Sequence, residues 1–582
     1  MKMKKIIAIL ATSAMVLFTL AGCAPKITQT KTNNSNAVSD NAKEGDIASI
    51  KPKNPITLTV YSQLANFQGE QTGWFAKVLL DKFNVKLNIV KDGDGVFATR
   101  LESGNLGDIV VFGNDSTDYQ TAVKAGALLD WNKDNLLDDY GPYIKAHMQM
   151  ALEKNKSISG GHVYGFGHDV GSTATEHSAP FYGPFIRWDL YKQLGYPKIN
   201  TLEDFIPLLE KMQQLAPTSD TGKKTYGVSL FKDWDGNMVM FVKATAALYG
   251  WDEFGFGLYN VNTGEYQDAL KPGGEYLRML KFYNTLYQKG LLDPNSMTQT
   301  FDDLTQTYKT GGAFFNIFDF MSSAIYNTPD HLKAGKAMMP LVASDQKNVA
   351  YGLNMYGGNR VWTIGAKTQY PELCMAIINW LSTPEGVMTN NYGPKGVTWD
   401  YDKEGRPILT QLGEKAMSDG NTELPAPYSG KFSDGVDEIN NTTWAIDSKN
   451  PDAKNGDTYN YKFWETRQSL PVSSIEQDWR DKMGVPNLDQ YLVKNNQLAI
   501  SLGTTYSATP MSNELTTTWN QVKQIIVNGS WKAIYAKSDA EFDSIVKDMT
   551  NQAYAHGYED CVKYQQHEAE IRKSLDDKVR SK

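Results

Sequence analysis

Short runs of β-branched and aromatic residues alternate with helical apolar stripes from residue 55 to about residue 126. Ile56-Thr57-Leu58-Thr59-Val60-Tyr61 predicts a strand, Trp74 to Phe83 a helix, and Lys86-Leu87-Asn88-Ile89-Val90 a second strand. Phe97 to Leu101 reads as a short helix, Asp108-Ile109-Val110-Val111-Phe112 as a fully buried strand, and Tyr119 to Lys124 as a helix closed by Gly126. Such alternation predicts an α/β lobe around a largely parallel sheet. After Val163-Tyr164-Gly165-Phe166 the same pattern resumes with longer helices. Thr201 and Asp204 are spaced for a capping box, and Leu202, Phe205, Leu209 and Met212 mark one helical face. Tyr226 to Leu230 predicts a strand. Tyr276, Leu277, Leu280, Tyr283 and Tyr287 share a helix face that stops at Gly290, and Leu373, Ala376, Ile377, Trp380 and Leu381 repeat that spacing. From about 395 to 530 the periodicity is weak and polar residues surround tryptophans at 399, 444, 464, 479 and 519. Long loops and short helices laid over one lobe are expected there, before helices return between Phe542 and Glu570.

The N-terminus follows another rule. Lys2, Lys4 and Lys5 precede an apolar run from Ile6 to Leu20, which ends in Leu20-Ala21-Gly22-Cys23. A basic start, a short apolar run and small residues form an export signal over 1–22. Small residues before a cysteine resemble the lipobox of bacterial lipoproteins, which implies that Cys23 is diacylated and becomes the first residue. Residues 23–54, with no aromatic side chain, predict a flexible tether, and the fold is expected to begin near Pro55. Loss of residues 1–22 removes three lysines and takes the net charge from −8 to −11. An acidic body of 582 residues with three scattered cysteines is neither a disulfide-stapled scaffold nor a reader of nucleic-acid phosphates. Cys374 and Cys561 lie in helical patterns and are expected as buried thiols.

Four stretches in order carry a wider resemblance. They are Glu102 to Val110; Tyr164-Gly-Phe with Ile186-Arg-Trp-Asp-Leu-Tyr-Lys-Gln-Leu-Gly195 and Thr201-Leu-Glu-Asp204-Phe; Gly311-Gly-Ala-Phe-Phe; and Pro371 to Gly386 with Gly393-Pro-Lys-Gly396-Val. Together they resemble the extracellular solute-binding proteins of bacterial sugar-importing ABC transporters, the superfamily of maltose-binding protein. Gly107 stands where that family commonly has proline. The resemblance implies a two-lobed α/β fold of the periplasmic-binding-protein (Venus-flytrap) kind, with discontinuous lobes joined by hinge crossovers. It places residues 55–165 and 319–366 in the N-terminal lobe, and 166–318 and 367–582 in the C-terminal lobe with an extra loop-rich region at 400–530. It further implies an oligosaccharide ligand, a permease as partner, and a monomer held outside the cytoplasm on the cell membrane by its lipid.

Sugars present apolar C–H faces edged by hydroxyls, so a cleft that holds them needs aromatic rings and hydrogen-bonding side chains. Asn114 and Asp115 follow a strand at its C-terminal end, where ligands of open α/β sheets lie. Asp233-Trp234-Asp235 joins a ring to two carboxylates. Asn316, Phe318 and Asp319 sit at the expected second crossover, and Arg360 and Trp362 begin the returning strand. Gln63, Asn66 and Phe67 follow the first strand, and Trp399 and Trp464 complete the candidates. Each has a bland alternative: a loop tryptophan can plug a core edge, Asp115 can cap a helix, and Arg360 can pair with a carboxylate. No cofactor is expected. Asp92-x-Asp94-Gly and Asp233-x-Asp235-Gly resemble the start of a calcium loop, so a structural calcium ion stays in view, but the twelfth positions are Ser103 and Ala244 rather than glutamate. His162, His168 and His177 have no metal-site spacing. Motifs of zinc proteases, serine hydrolases, P-loops and dinucleotide folds are missing. The expectation is therefore a binder rather than an enzyme. A surface-anchored carbohydrate lyase or hydrolase, and a receptor for peptide or another non-sugar solute, are the alternatives.

Overall fold

The computed structural model describes residues 47–168, 170–171, 173, 176–439 and 446–581. Cys23, the export signal, most of the tether and Trp444 lie outside the described residues. The tether was expected to run to residue 54, but Ile47–Ile50 forms one helical turn and sets Ile47 and Ile50 against the first core. Two apolar residues three apart share one face of a turn, which suffices for docking.

In chain order, β1 (Ile56–Ser62), β2 (Gly69–Glu70), β3 (Val85–Lys91), β4 (Ile109–Asn114) and β5 (Gly165–Gly167) build most of one sheet. The chain then passes to β6 (Tyr182–Arg187), to a meander of β7 (Trp251–Glu253), β8 (Gly257–Asn260) and β9 (Tyr266–Asp268), and to β10 (Phe315–Phe318) and β11 (Met338–Pro340). β12 (Asn348–Tyr351) leads back to β13 (Asn359–Ile364), and β14 (Leu498–Ser501) comes much later. The first sheet has the order β2-β3-β1-β4-β13-β5, parallel over β3-β1-β4 and antiparallel at β2 and β13. The second runs β10-β6-β11, antiparallel. Tyr226 to Leu230, expected as a strand, makes two isolated bridges, Tyr226 to Ala313 and Val228 to Leu292. Its amides pair with two different segments in turn, so no continuous ladder forms.

Two main cores define two lobes, and they divide the chain elsewhere than expected. Core 1 joins Leu58, Val111 and Ile364 to Leu373, Trp380, Trp399, Phe432 and Trp464. Core 2 joins Phe185, Leu230, Phe315 and Met338 to Trp479, Trp519, Trp531 and Cys561. Residues 319–343 thus belong to the second lobe, and residues 367 to about 464 to the first. The reason lies in Pro371–Ser382: every residue from Leu373 to Ser382 is buried, and a helix apolar on all sides packs beside the strand it follows, β13. The region 400–530 does not lie over one lobe; its first half covers lobe 1, and its second half, with the helix Asn513–Ile534, covers lobe 2.

The chain crosses between lobes after Gly167, between Pro340 and Asn359, and between Trp464 and Ile475. Gly311 to Phe315, expected as the second crossover, leads instead into β10 inside lobe 2. The first two crossings are bonded together: Ser178 N–H donates to Tyr351 O (2.7 Å), Leu353 N–H to Glu176 O (2.9 Å) and Gly171 N–H to Asn354 O (2.9 Å). β14 joins them by parallel pairing with β12.

Candidate functional site

The strand ends nearest the crossings point to the site. On lobe 1 the sheet leaves at Gly167 and returns at Asn359, which pairs with Asn114 at the end of β4. On lobe 2 the chain arrives at Tyr182, which pairs with Phe318 at the end of β10. Both edges therefore flank the hinge.

The lobe-2 edge carries a row of four rings from four separate segments. Phe301 opens the helix Phe301–Lys309, whose N-terminus is held by a capping box: Thr300 N–H donates to Asp303 Oδ2 (2.9 Å) and Asp303 N–H to Thr300 Oγ1 (3.3 Å). Phe301 stacks on Trp234 at 4.7 Å, Trp234 faces Phe320 at 6.3 Å, and Phe320 faces Phe181 at 5.6 Å, with interplanar angles of 29°, 24° and 25°. Trp234 and Phe181 remain 47% and 45% exposed, although apolar burial is available nearby. Phe231 and Phe318, both buried, support the row edge-on. The loop that presents Trp234 is tied to the helix Asn513–Ile534. Met240 N–H donates to Asp235 Oδ1 (2.7 Å), Trp531 Nε1–H to Asp235 Oδ2 (2.6 Å), and Trp519 Nε1–H to Asn237 Oδ1 (2.9 Å). Burial pushes the Asp235 carboxyl up to about 6, against the pull of these bonds and of Lys243 and Lys232.

The lobe-1 edge is polar. Asn66 and Asn114 are exposed, and Phe67 is half-buried against core 1. Ser116 N–H donates to Asn114 Oδ1 (3.0 Å), which fixes that turn. Arg360 has φ +54° and lies beside the buried His168, whose ring is driven well below its usual range by burial and by that guanidinium.

The other candidates are absorbed by structure. Trp399 and Trp464 are fully buried in core 1, their indole N–H groups donating to Gly393 O (2.8 Å) and Thr458 O (2.9 Å). Trp362 is 2% exposed in the same core. Asn316 is buried and accepts from Phe318 N–H (3.0 Å), and Asp319 accepts from the Ser323 hydroxyl. Asp115 pairs with Lys154 at 2.5 Å. Gln63 is locked between Asp118 Oδ2 (2.7 Å) and Gly113 N–H (2.9 Å). Asp233 is exposed beside Trp234. Sequence reasoning missed Phe181, Phe301 and Phe320; the aromatic pair Phe181-Tyr182 between Pro180 and Pro184 was the available signal.

In the two Asp-x-Asp-Gly segments Asp235 is engaged by two N–H donors and Asp92 Oδ1 accepts from the Tyr61 hydroxyl (2.8 Å), whereas Asp94 and Asp233 are exposed. Among the described residues no group of three or more His, Cys, Asp or Glu side chains could hold a metal ion, and no helix is long and apolar enough to cross a membrane. Cys374 and Cys561 are free, buried thiols in different lobes. A groove of about 660 Å³ at the opposite end of the lobe-2 strands is lined by Lys223, Asn295 and Gln306, and its one ring, Tyr226, has Lys224 over it at 5.2 Å.

No family model matches the chain. The lipoprotein LipO of Bacillus subtilis (strain 168) is 28% identical over 219 residues, 36% of this chain and 37% of that protein. Among solved structures, the alginate-binding protein AlgQ2 without calcium ion matches with a TM-score of 0.55 at 16% identity, over 89% of this chain and 99% of that one. FusA, an ABC-transporter substrate-binding protein of S. pneumoniae in complex with kestose, gives 0.55 at 15% over 89% and 100%. An ABC-transporter-associated solute-binding protein of Bifidobacterium longum infantis that binds HMO gives 0.54 at 17% over 89% and 99%. By their descriptions these neighbours are binding proteins, two of them of ABC transporters, and the chain shares their two-lobed α/β fold.

Proposed function

We propose that the chain is the substrate-binding component of an ABC importer, which captures an oligosaccharide between its lobes and hands it to a membrane permease. The row Phe301, Trp234, Phe320 and Phe181 carries this reading, because exposed rings aligned along one edge match a chain of apolar sugar faces. Asn66, Asn114 and Arg360 on the opposite edge supply donors and acceptors for hydroxyls. No bond is made or broken. Contacts with both lobes favour the closed state, and only that differential affinity shifts the population. AlgQ2, FusA and the HMO-binding protein, described by what they bind, support a saccharide as cargo. The cysteine at position 23 would tether a monomeric body outside the cytoplasm, a placement that the LipO likeness supports.

The test is thermal unfolding of the detergent-solubilised full chain against a panel of neutral and acidic oligosaccharides, followed by analysis of the recovered sugar. One sugar class should raise the midpoint and be recovered intact. Trp234→Ala should weaken binding at least tenfold, about 1.4 kcal/mol, which is the scale of one stacking contact. No rise with any sugar, or new reducing or unsaturated ends, would overturn the reading.

A further inference from the structure

Three of the ring-bearing segments at the lobe-2 edge set a carboxyl one residue from the ring: Asp233 before Trp234, Asp302 after Phe301, and Asp319 before Phe320. Asp235 N–H donates to Lys232 O (2.9 Å), so Asp233 and Trp234 are the two corner residues of a reverse turn and stand together at its tip. Both are exposed, and Trp234 stacks on Phe301, which brings the exposed Asp302 alongside. Asp319 is half-buried, and its carboxyl accepts from the Ser323 hydroxyl.

Neighbouring positive charge does not offset this row. Within residues 231–235, 300–303 and 318–321 the one cation is Lys232, at the other end of the turn. The helix Phe301–Lys309 starts here, and a helix N-terminus favours anions, but its first turn already holds Asp302 and Asp303. Across the cleft, the exposed Asn66 and Asn114 are uncharged, Lys154 is paired with Asp115 (2.5 Å), and Arg360 is half-buried beside His168. A ligand held between closing lobes loses its water, so an anionic group needs a cation in return. Beside three carboxyls it meets repulsion instead, which is how like charge rejects a wrong partner. A carboxylate only accepts hydrogen bonds, and the hydroxyls of an uncharged sugar supply the donors.

Building on the reading of the cleft as a saccharide site, we propose that its cargo is an uncharged oligosaccharide and that Asp233 sets this selectivity. The Asp233 carboxylate accepts from a hydroxyl of the sugar unit that lies on Trp234, and the same charge repels uronates and sulfated chains. Asp302 and Asp319 add to that field from the neighbouring segments.

The detergent-solubilised full chain is titrated calorimetrically with neutral oligosaccharides and with the same oligosaccharides oxidised at C6 to uronates. Titrations run at ~0.01 M and ~1 M NaCl, where the screening length is about 30 Å and about 3 Å. At low salt the neutral form should bind at least tenfold more tightly than its uronate, and high salt should narrow the gap. Asp233→Asn keeps the size of the side chain and suits the turn. It should bind the uronate several-fold more tightly than the wild type does, with a few-fold loss for the neutral sugar. Asp233→Lys should raise uronate affinity at least tenfold. The salt comparison uses the unaltered chain, and so holds even where a variant fails to fold. Equal or tighter binding of the uronate, a gap indifferent to salt, or the same gap in Asp233→Asn would overturn the proposal and leave the cleft a saccharide site. Binding of neither form would overturn the reading of the cleft itself, and this inference with it.

Discussion

Trp234, Trp399 and Trp464 carry one side chain in stretches of similar polarity, yet the first is half exposed and the others are sealed in core 1. Local sequence states the residue type, and the neighbours that cover it come from elsewhere in the chain. Asp235 shows the same dependence. A carboxyl beside Trp234 reads as a ligand group, but both of its oxygens serve Met240 and Trp531, and burial lifts it to about 6. Its folded value lies above the ordinary 3.8, so the folded state holds the proton more tightly. Stability from this group is therefore full below about pH 4 and is lost as the pH rises through 6. Asp235→Asn should remove that slope, of order 2–3 kcal/mol. The check is the difference in urea midpoint between the two proteins from pH 4 to 7. A pH-independent difference would contradict it. Phe181, Phe301 and Phe320 could not be singled out in the sequence, because a ring becomes a platform only when others align with it.

Helices and strands were the most legible level, since their signals are local. The capping box at Thr201 and Asp204 forms as its spacing predicts, with Thr201 N–H donating to Asp204 Oδ2 (3.2 Å). The helices Gly73–Phe83 and Glu275–Gln288 follow their apolar stripes. Gly107, which departs from the proline common in the resembling family, has φ +135° where the chain turns into β4, and a Cβ there would sit 3.0 Å from Thr59 O. Gly107→Ala should cost about 1–3 kcal/mol of stability, while Gly93→Ala, whose added Cβ would meet only Val96 Cγ2 at 3.9 Å, should cost less than about 1. Equilibrium urea unfolding distinguishes the two, and equal effects would argue against backbone strain at 107. The failure at this level, Tyr226 to Leu230, has a β-rich composition and alternates between two partners, which no local pattern records.

The hinge is a property of the whole molecule. Tyr182 and Tyr351 share a hydrogen bond (2.8 Å), Tyr351 donates to Asp252 Oδ1 (3.1 Å), and Arg572 Nη2 donates to Asp252 Oδ2 (3.0 Å) and Ser501 Oγ (2.8 Å). The Arg572 guanidinium also lies 4.2 Å from the Tyr259 ring centre. The last helix, Tyr558–Arg580, thereby reaches the crossings through one buried network. Arg572→Ala would leave Asp252 buried without its cation, and should cost about 3–5 kcal/mol. A fall in urea midpoint of that size is expected. An unchanged midpoint would show that water replaces the guanidinium.

By itself the sequence determined the α/β class, most element positions, the buried state of both thiols and the likeness to solute-binding proteins. Periodicity, caps and motif order are written in neighbouring residues. The tertiary structure alone decided which lobe each segment joins, where the chain crosses, and which aromatic side chains align. Those outcomes depend on contacts between residues tens to hundreds of positions apart, such as Arg572 with Asp252 or Trp531 with Asp235. Only packing brings such residues together.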